Sequence, residues 1–455
     1  MEKLFGTDGI RARAGEFPLD EKTVQIIGAS LARRFAEKLG RAPRFVTGRD
    51  TRESGASIER AVCRGASEKS AQCESAGVIT TPGVAFLTKQ FAFDAGVVVS
   101  ASHNPFEDNG IKIFLPDGKK IDEATEREIE ADIFENSKFQ VSNSESATQD
   151  ADFEIDSSKT VEMQNRYSDY LTGEFNNLRL ENFKIVVDCA NGAACGFAPK
   201  VFEQLGAQIV AINDAPDGRN INENCGSLHL ENLQKRVLEE NADFGAAFDG
   251  DADRALFVDE KGNLVDGDAT LWIMAQHLQK HGKLNNQTIV ATVMSNIGLE
   301  LALASKNIKL LRASVGDKYV LQELLKSDAS VGGEQSGHII FPERSLVGDG
   351  IMTTLVLLEA LRENDKTLSQ MTTGFVRFPQ ILVNVKVGKK VPFETVAEIN
   401  EAAEEIETRL GENGRLLLRY SGTENLARVM IEGENQAQIE AQAHGLAAII
   451  KSSLG

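Results

Sequence analysis

The sequence predicts an α/β protein, made of three related α/β domains and a smaller C-terminal α+β domain around a central cleft. Three observations point there. Short Val/Ile-rich runs end in Gly/Asn/Asp/Ser loops and are followed by helical periodicity, which is the pattern of βα units. That pattern repeats three times. At 455 residues the chain also exceeds one ordinary core, since domains usually run roughly 100–200 residues.

Each repeat opens with a strand and a polar turn: FVTGRD at 45–50, IVVDCANG at 185–192 and IVATVMSNIG at 289–298. Each then carries a second strand leading into a richer loop: VVVSASHNP at 97–105, FGAAFDGDADR at 244–254 and SVGGEQSGH at 330–338. Residues 136–160 are rich in Ser, Asp and Glu and read as a surface excursion. A helical pattern then runs from Lys159 to about Phe175, and Ile351–Leu361 reads as a buried helix. After about Arg377 the texture changes: ILVNVKV alternates as a strand, Phe393–Leu410 reads as an acidic helix, and RLLLRYS and LARVMIEGE read as paired strands before a last helix. The expected domains are 1–158, 159–268, 269–376 and 377–455.

Composition narrows the function. A net charge of −19 without a basic stripe argues against nucleic-acid and anionic-membrane partners. No segment approaches the ~20 apolar residues of a membrane span, and the start MEKLFGTDGIRARAG lacks the apolar core of a secretory signal, so the cytoplasm is expected. Five irregularly spaced cysteines without a C-x-x-C pair read as reduced thiols. An anionic small substrate then needs a local cluster of Arg and Lys.

Four loops carry chemistry. In GVVVSASHNPFEDNGIKIF the strand ends at Ser100 and Pro105 stops regular structure, so Ser102 is expected as an exposed residue at a strand end, fit for nucleophilic use. Lys112 is expected at the start of the next strand. Ser, Asn and Pro also favour plain turns, so Ser102 alone proves little. In FDGDADR the carboxylates of Asp249, Asp251 and Asp253 alternate and are expected on one side of an extended segment. Such crowding calls for a cation, and all-oxygen ligands suit Mg²⁺; the EF-hand pattern of a calcium loop is absent. Arg254 follows as a fork for a phosphate oxygen. GGEQSGH sets Glu334, Ser336 and His338 between glycines, a mixture suited to sugar hydroxyls. RYSGTENLARVM offers Arg419, Ser421, Gly422, Thr423 and Arg428, the composition of a phosphate clamp.

These loops, in this order, resemble the α-D-phosphohexomutase superfamily, from Phe5 to Glu432; GEQSGH together with LFGTDGIRA is similar to its branch acting on glucosamine phosphates. The resemblance implies that Ser102 is modified, carrying the phosphoryl group in the active enzyme, with one Mg²⁺ per subunit held by that group and by Asp249, Asp251 and Asp253. It implies transfer to a bound monophosphate through a sugar bisphosphate, which also serves as primer, interconverting glucosamine 6-phosphate and glucosamine 1-phosphate for UDP-N-acetylglucosamine and cell-wall precursor synthesis. Arg11 and Lys112 are placed beside the phosphoserine, Lys112 or His338 is the base, and Gly316 and Asp317 of SVGDKYV form a further sugar-facing loop. The C-terminal loop grips the distal phosphate, and a homodimer is expected. Two readings compete within this chemistry: a phosphomannomutase or phosphoglucomutase, in which Met commonly replaces Gln335, and a metal-dependent phosphatase that passes the phosphoryl group to water. A non-catalytic sugar-phosphate sensor is the third, and it has no use for Ser102 beside three metal carboxylates.

Overall fold

A computed structural model describes residues 3–138, 153–421 and 424–455. The chain forms two compact units, Met1–Val293 with Leu311–Thr373, and Met294–Leu310 with Gly374–Gly455. Most of the excursion expected at 136–160 lies outside the described residues.

The first sheet has six strands in the order Phe5–Gly6, Gly9–Arg13, Asp108–Phe114, Ala95–Val99, Arg44–Arg49, Gln72–Val78. Its apolar face, with Val97, Val99, Ile111 and Ile113, packs under Val24, Ile27 and Leu31 of the helix Glu21–Leu39. That helix starts where the Asp20 carboxylate accepts the Thr23 N–H and ends at Gly40, whose φ of 66° a Cβ would oppose. The second sheet runs Leu264–Val265, Ala255–Asp259, Phe244–Phe248, Lys184–Asp188, Gln208–Ile212, and the third Lys309–Ala313, Thr288–Thr292, Gly332–Gly333, Ile339–Ile340.

The repeat is visible in the pairing. Arg44–Arg49 lies parallel to Ala95–Val99, Lys184–Asp188 to Phe244–Phe248, and Thr288–Thr292 to Gly332–Gly333. In each case the second strand turns back into an antiparallel neighbour: Asp108–Phe114, Ala255–Asp259 or Ile339–Ile340. The serine, aspartate and GEQSGH loops are therefore the same connection made three times. The helix Gly350–Asn364 is buried along most of its length, and Thr160–Glu174 covers the other expected helix.

In the smaller unit Gln380–Lys386, Leu426–Glu432 and Arg415–Tyr420 form an antiparallel sheet with Leu426–Glu432 in the centre. Ile399 and Ile406 of the helix Ala397–Leu410 and Ile439, Leu446 and Ile450 of Gln436–Leu454 close its core. The helix expected from Phe393 begins only at Ala397: Phe393–Thr395 is a 3₁₀ turn after Pro392, and Val396 is extended at φ −109°, ψ 105°. All five cysteines are free thiols. Among the described residues no helix is long and apolar enough to cross a membrane.

Candidate active site

Ser102 sits in a tight turn rather than on open surface. The strand Ala95–Val99 is wholly buried, the Ser100 hydroxyl accepts the Ser102 N–H at 2.9 Å, and Ser102 takes φ 54°, a left-handed conformation costly for a side chain. Two residues that sequence reading missed pin this turn. Arg52, fully buried and paired with Asp50, donates to the carbonyls of Ser102 and Asn104 at 3.2 and 2.6 Å, and the Asn222 amide donates to the same pair at 2.9 and 3.0 Å. The expectation of an exposed serine is corrected: Ser102 is 0% exposed. Its hydroxyl donates to Asp249 Oδ2 at 2.5 Å and lies 3.3 Å from His103 Nδ1.

The aspartates converge by a different route from the expected alternation. Residues after Phe248 do not stay extended: the Ala252 N–H donates to the Asp249 carbonyl at 3.0 Å, and Ala252 has φ 55°. The turn folds Asp249, Asp251 and Asp253 inward, and one oxygen from each lies within 4.8 Å of the others, all buried. Burial, then Asp253 and Asp251, pushes the Asp249 carboxyl well above its ordinary range. Burial opposes the charge on Asp253 as well, but Lys112 and His338 outweigh it and hold that pKa low. Oδ1 of Asp251 and Oδ1 of Asp253 are buried without a hydrogen-bond partner. Hard oxygen donors, two of them unengaged, beside the Ser102 hydroxyl are a fitting set for a hard divalent cation.

Lys112 lies not at the start of a strand but at the fifth of the seven residues Asp108–Phe114. It is 1% exposed, with Nζ 2.7 Å from Asp251, 2.9 Å from Asp8 and 3.3 Å from Asp253. Burial works against its charge, yet these carboxylates raise its pKa well above the ordinary lysine value. Asp8, also missed from the sequence, ties Lys112 to Arg11 and Lys120, and Lys120 reaches on to Asp317. Arg11 also donates to the Asn104 side chain at 3.3 Å. Arg254 Nη1 lies 3.0 Å from His103 Nδ1. Burial, then Arg254 and Arg11, lowers the pKa of His103 to about 4, so it is neutral at pH 7.

The GEQSGH loop closes the same cluster. Gly337, at φ 89°, donates its N–H to the Glu334 carbonyl at 2.9 Å, and Glu334 Oε1 accepts the Gly316 N–H at 3.2 Å, joining the two expected sugar loops. The Ser336 hydroxyl is buried without a partner. His338, 3% exposed, accepts the Gly348 N–H on Nε2 at 3.1 Å and brings Nδ1 to 3.6 Å from Asp253. The Gln335 amide points into a pair of buried carboxylates, Asp266 at 3.4 Å and Asp268 at 3.3 Å.

In the smaller unit, Arg419 and Arg428 are direct cross-strand partners. Like charges in that register repel, and burial followed by the Arg428 charge lowers the Arg419 pKa. Lys390 adds a third cation, donating to the Ser421 carbonyl at 2.8 Å. Gly422 and Thr423 lie outside the described residues.

Four family models cover the chain: phosphoglucomutase/phosphomannomutase alpha/beta/alpha domain I over residues 2–140, domain II over 165–262, domain III over 266–378, and the C-terminal domain over 382–449. The chain belongs to this phosphohexomutase family. Its curated relatives include the phosphoglucosamine mutases of Koribacter versatilis, 45% identical over all of this chain and 98% of that protein, and of Caldicellulosiruptor saccharolyticus, 46% identical over the whole of both. The fold is shared with a phosphoglucomutase/phosphomannomutase family protein from Burkholderia thailandensis (TM-score 0.78, 22% identity, 100% of this chain and 98% of that one). It is shared too with Aspergillus fumigatus N-acetylphosphoglucosamine mutase, solved in complex with GlcNAc-6P and magnesium (TM-score 0.67, 19% identity, 99% and 96%). As a phosphohexomutase the chain is an isomerase, an intramolecular phosphotransferase.

Proposed function

We propose that this phosphohexomutase interconverts glucosamine 6-phosphate and glucosamine 1-phosphate in the cytoplasm, through a phosphorylated Ser102 and a glucosamine bisphosphate. The observation that carries the reading is the Ser102 hydroxyl lying against Asp249 inside the three-carboxylate group. The names of relatives that match end to end at 45–46% identity support the amino-sugar substrate.

Asp249, Asp251, Asp253 and the Ser102 oxygen would hold Mg²⁺, which supplies charge neutralisation at the phosphoryl oxygens. The chain's own residues do the rest. A substrate hydroxyl attacks phosphorus, the bond to Ser102 Oγ breaks, and the electron pair stays on that oxygen; the reverse transfer takes the other phosphate of the bisphosphate. Arg11, Lys112 and Arg254 set a positive field around charge that spreads over the equatorial oxygens. Lys112 and His338 are both held towards their charged forms by neighbouring carboxylates and add to that field, and one of the two handles the hydroxyl proton. Glu334, Ser336, Gly316 and Asp317 are assigned to the sugar, and Arg419, Ser421, Gly422, Thr423 and Arg428 to the non-reacting phosphate. The domain division at 158/159, 268/269 and 376/377 belongs to the same reading, and each boundary falls between sheets.

The test is conversion of glucosamine 6-phosphate with Mg²⁺ and a catalytic sugar bisphosphate as primer, for wild type and Ser102→Ala. Serine-dependent formation of the 1-phosphate is expected, with loss of at least about a thousandfold in the variant. Turnover confined to glucose or mannose phosphates would move the assignment to the rival mutases, and release of inorganic phosphate alone would defeat it.

A further inference from the structure

Away from the serine and aspartate loops, two helices of the larger unit face each other with paired ligand-type residues. His277 and His281 stand four apart at the end of Gly267–Lys280, the His281 N–H donating to the His277 carbonyl at 3.3 Å, so both rings leave the helix on one side. Their centroids are 4.8 Å apart. Opposite them, Glu359 and Glu363 stand four apart on Gly350–Asn364. Glu363 Oε2 lies 2.6 Å from His281 Nε2 and 3.6 Å from His277 Nδ1, while Glu359 Oε2 lies 3.4 Å from His277 Nε2. A cavity of about 90 Å³ opens beside them.

His277 is the telling residue. It is 6% exposed, and its Nδ1 is buried with no hydrogen-bond partner. With Nε2 turned towards Glu359, the ring brings Nδ1 to 3.6 Å from the Glu363 carboxylate without a hydrogen bond between them. A cation placed there would engage both groups. A carboxylate that fixes the far nitrogen of a histidine is also the usual outer partner of a metal-bound imidazole. Tetrahedral zinc, with bonds of roughly 2.0–2.1 Å, sets its donors about 3.3 Å apart, inside the spread found here. Lys283 and Arg344 line the same cavity, but Arg344 is engaged with Glu174 at 3.1 Å.

We propose that His277, His281 and Glu363 form a second metal site, selective for a divalent transition ion of the zinc type over Mg²⁺, with Glu359 as the positioning residue for His277. Imidazole donors favour such ions, whereas the all-carboxylate group around Asp249 favours hard ones. The ion cross-links the two helices and takes no part in phosphoryl transfer.

The probe is Co²⁺, added to chelator-stripped full-length protein in saturating Mg²⁺. Wild type is expected to bind about one equivalent with the visible absorption of tetrahedral Co²⁺, displaced by Zn²⁺. His281→Ala and Glu363→Gln, both changes at partly exposed positions, should each weaken binding at least tenfold, and Glu359→Gln by about tenfold or more. Asp249→Asn should keep the band. A band unchanged in His281→Ala, a band lost in Asp249→Asn, or no stoichiometric binding by wild type would each overturn the proposal.

Discussion

Lys112 sits among Asp8, Asp251 and Asp253 with no exposed surface to dilute the interaction. Removing one partner from a buried ionic group typically costs about 3–5 kcal/mol. Lys112→Ala should therefore lower the stability of chelator-treated protein by that order, and Mg²⁺ should restore part of it, because the ion takes over neutralisation of Asp251 and Asp253; calorimetry with and without Mg²⁺ reads both. Gln335 carries a different expectation. The family resemblance makes it a candidate for sugar choice, yet its amide serves Asp266 and Asp268. Gln335→Met should cost about 1–3 kcal/mol in stability, the penalty for buried acceptors losing a donor. The ratio of kcat/KM for glucosamine over glucose phosphates should move by less than about tenfold; a larger shift would make Gln335 a reader of the sugar. At this scale the sequence pointed to candidate side chains for the chemistry but not to the ones that hold them. Arg52 and Asn222 have no motif of their own and matter because the turn around Ser102 leaves two carbonyls pointing at them, while Asp8, inside LFGTDGIRA, matters because the sheet brings it to Lys112.

The elements were legible wherever periodicity was strong, and the three chemistry loops could be aligned because each follows the second strand of its repeat. What period alone could not give was the direction of side chains inside the turns: Ala252 and Ser102 at positive φ turn an apparent alternation and an apparent exposure into a buried convergence. Packing between elements was equally hidden. Gly28 on Glu21–Leu39 and Gly65 on Gly55–Ser67 face each other so closely that a Cβ at Gly28 would lie 2.0 Å from the Val62 carbonyl oxygen, and one at Gly65 would lie 1.9 Å from that of Gln25. Helix propensity alone would make Gly65→Ala stabilising by about 1 kcal/mol. Backbone collision should reverse the sign, giving a net loss of roughly 1–3 kcal/mol in urea unfolding. Asp349 gives a second element-scale expectation. It caps Gly350–Asn364, accepting the Met352 N–H at 2.9 Å and the Tyr167 hydroxyl at 2.8 Å, and burial pushes its pKa up to about 6. The folded state then holds the extra proton between about pH 4 and 6, so raising the pH through that window removes up to about 3 kcal/mol of stability, with no further change from this group above it. Asp349→Asn should lack that slope, and a variant that follows wild type across the window would refute the assignment.

For the whole molecule, a net charge of −19 sits oddly with an anionic substrate until the cations are located. They are concentrated: Arg11, Lys112, Lys120 and Arg254 around the serine and aspartate loops, and Arg419, Arg428 and Lys390 around the C-terminal loop. Beyond a Debye length of about 8 Å the global charge is largely screened, so the local sign decides. In the first group every cation has carboxylates close by. In the second, Arg419 and Arg428 stand side by side in the ladder, and Arg428 reaches Glu424 only at 3.8 Å. That arrangement carries a repulsion which an anion relieves, and it was foreshadowed in the sequence only as two arginines flanking Ser-Gly-Thr. If the pair is kept for the non-reacting phosphate, stability and function should part company there. Arg428→Gln should leave the protein as stable as wild type, or raise its stability by up to about 1 kcal/mol in phosphate-free buffer. The same change should raise KM for glucosamine 6-phosphate at least about tenfold, since a charge-assisted contact is worth about 1.5–3 kcal/mol. It should also abolish the thermal stabilisation that wild type gains from added sugar phosphate. A variant that loses stability while keeping KM would show that the arginine pair is part of the scaffold and that the phosphate is gripped elsewhere.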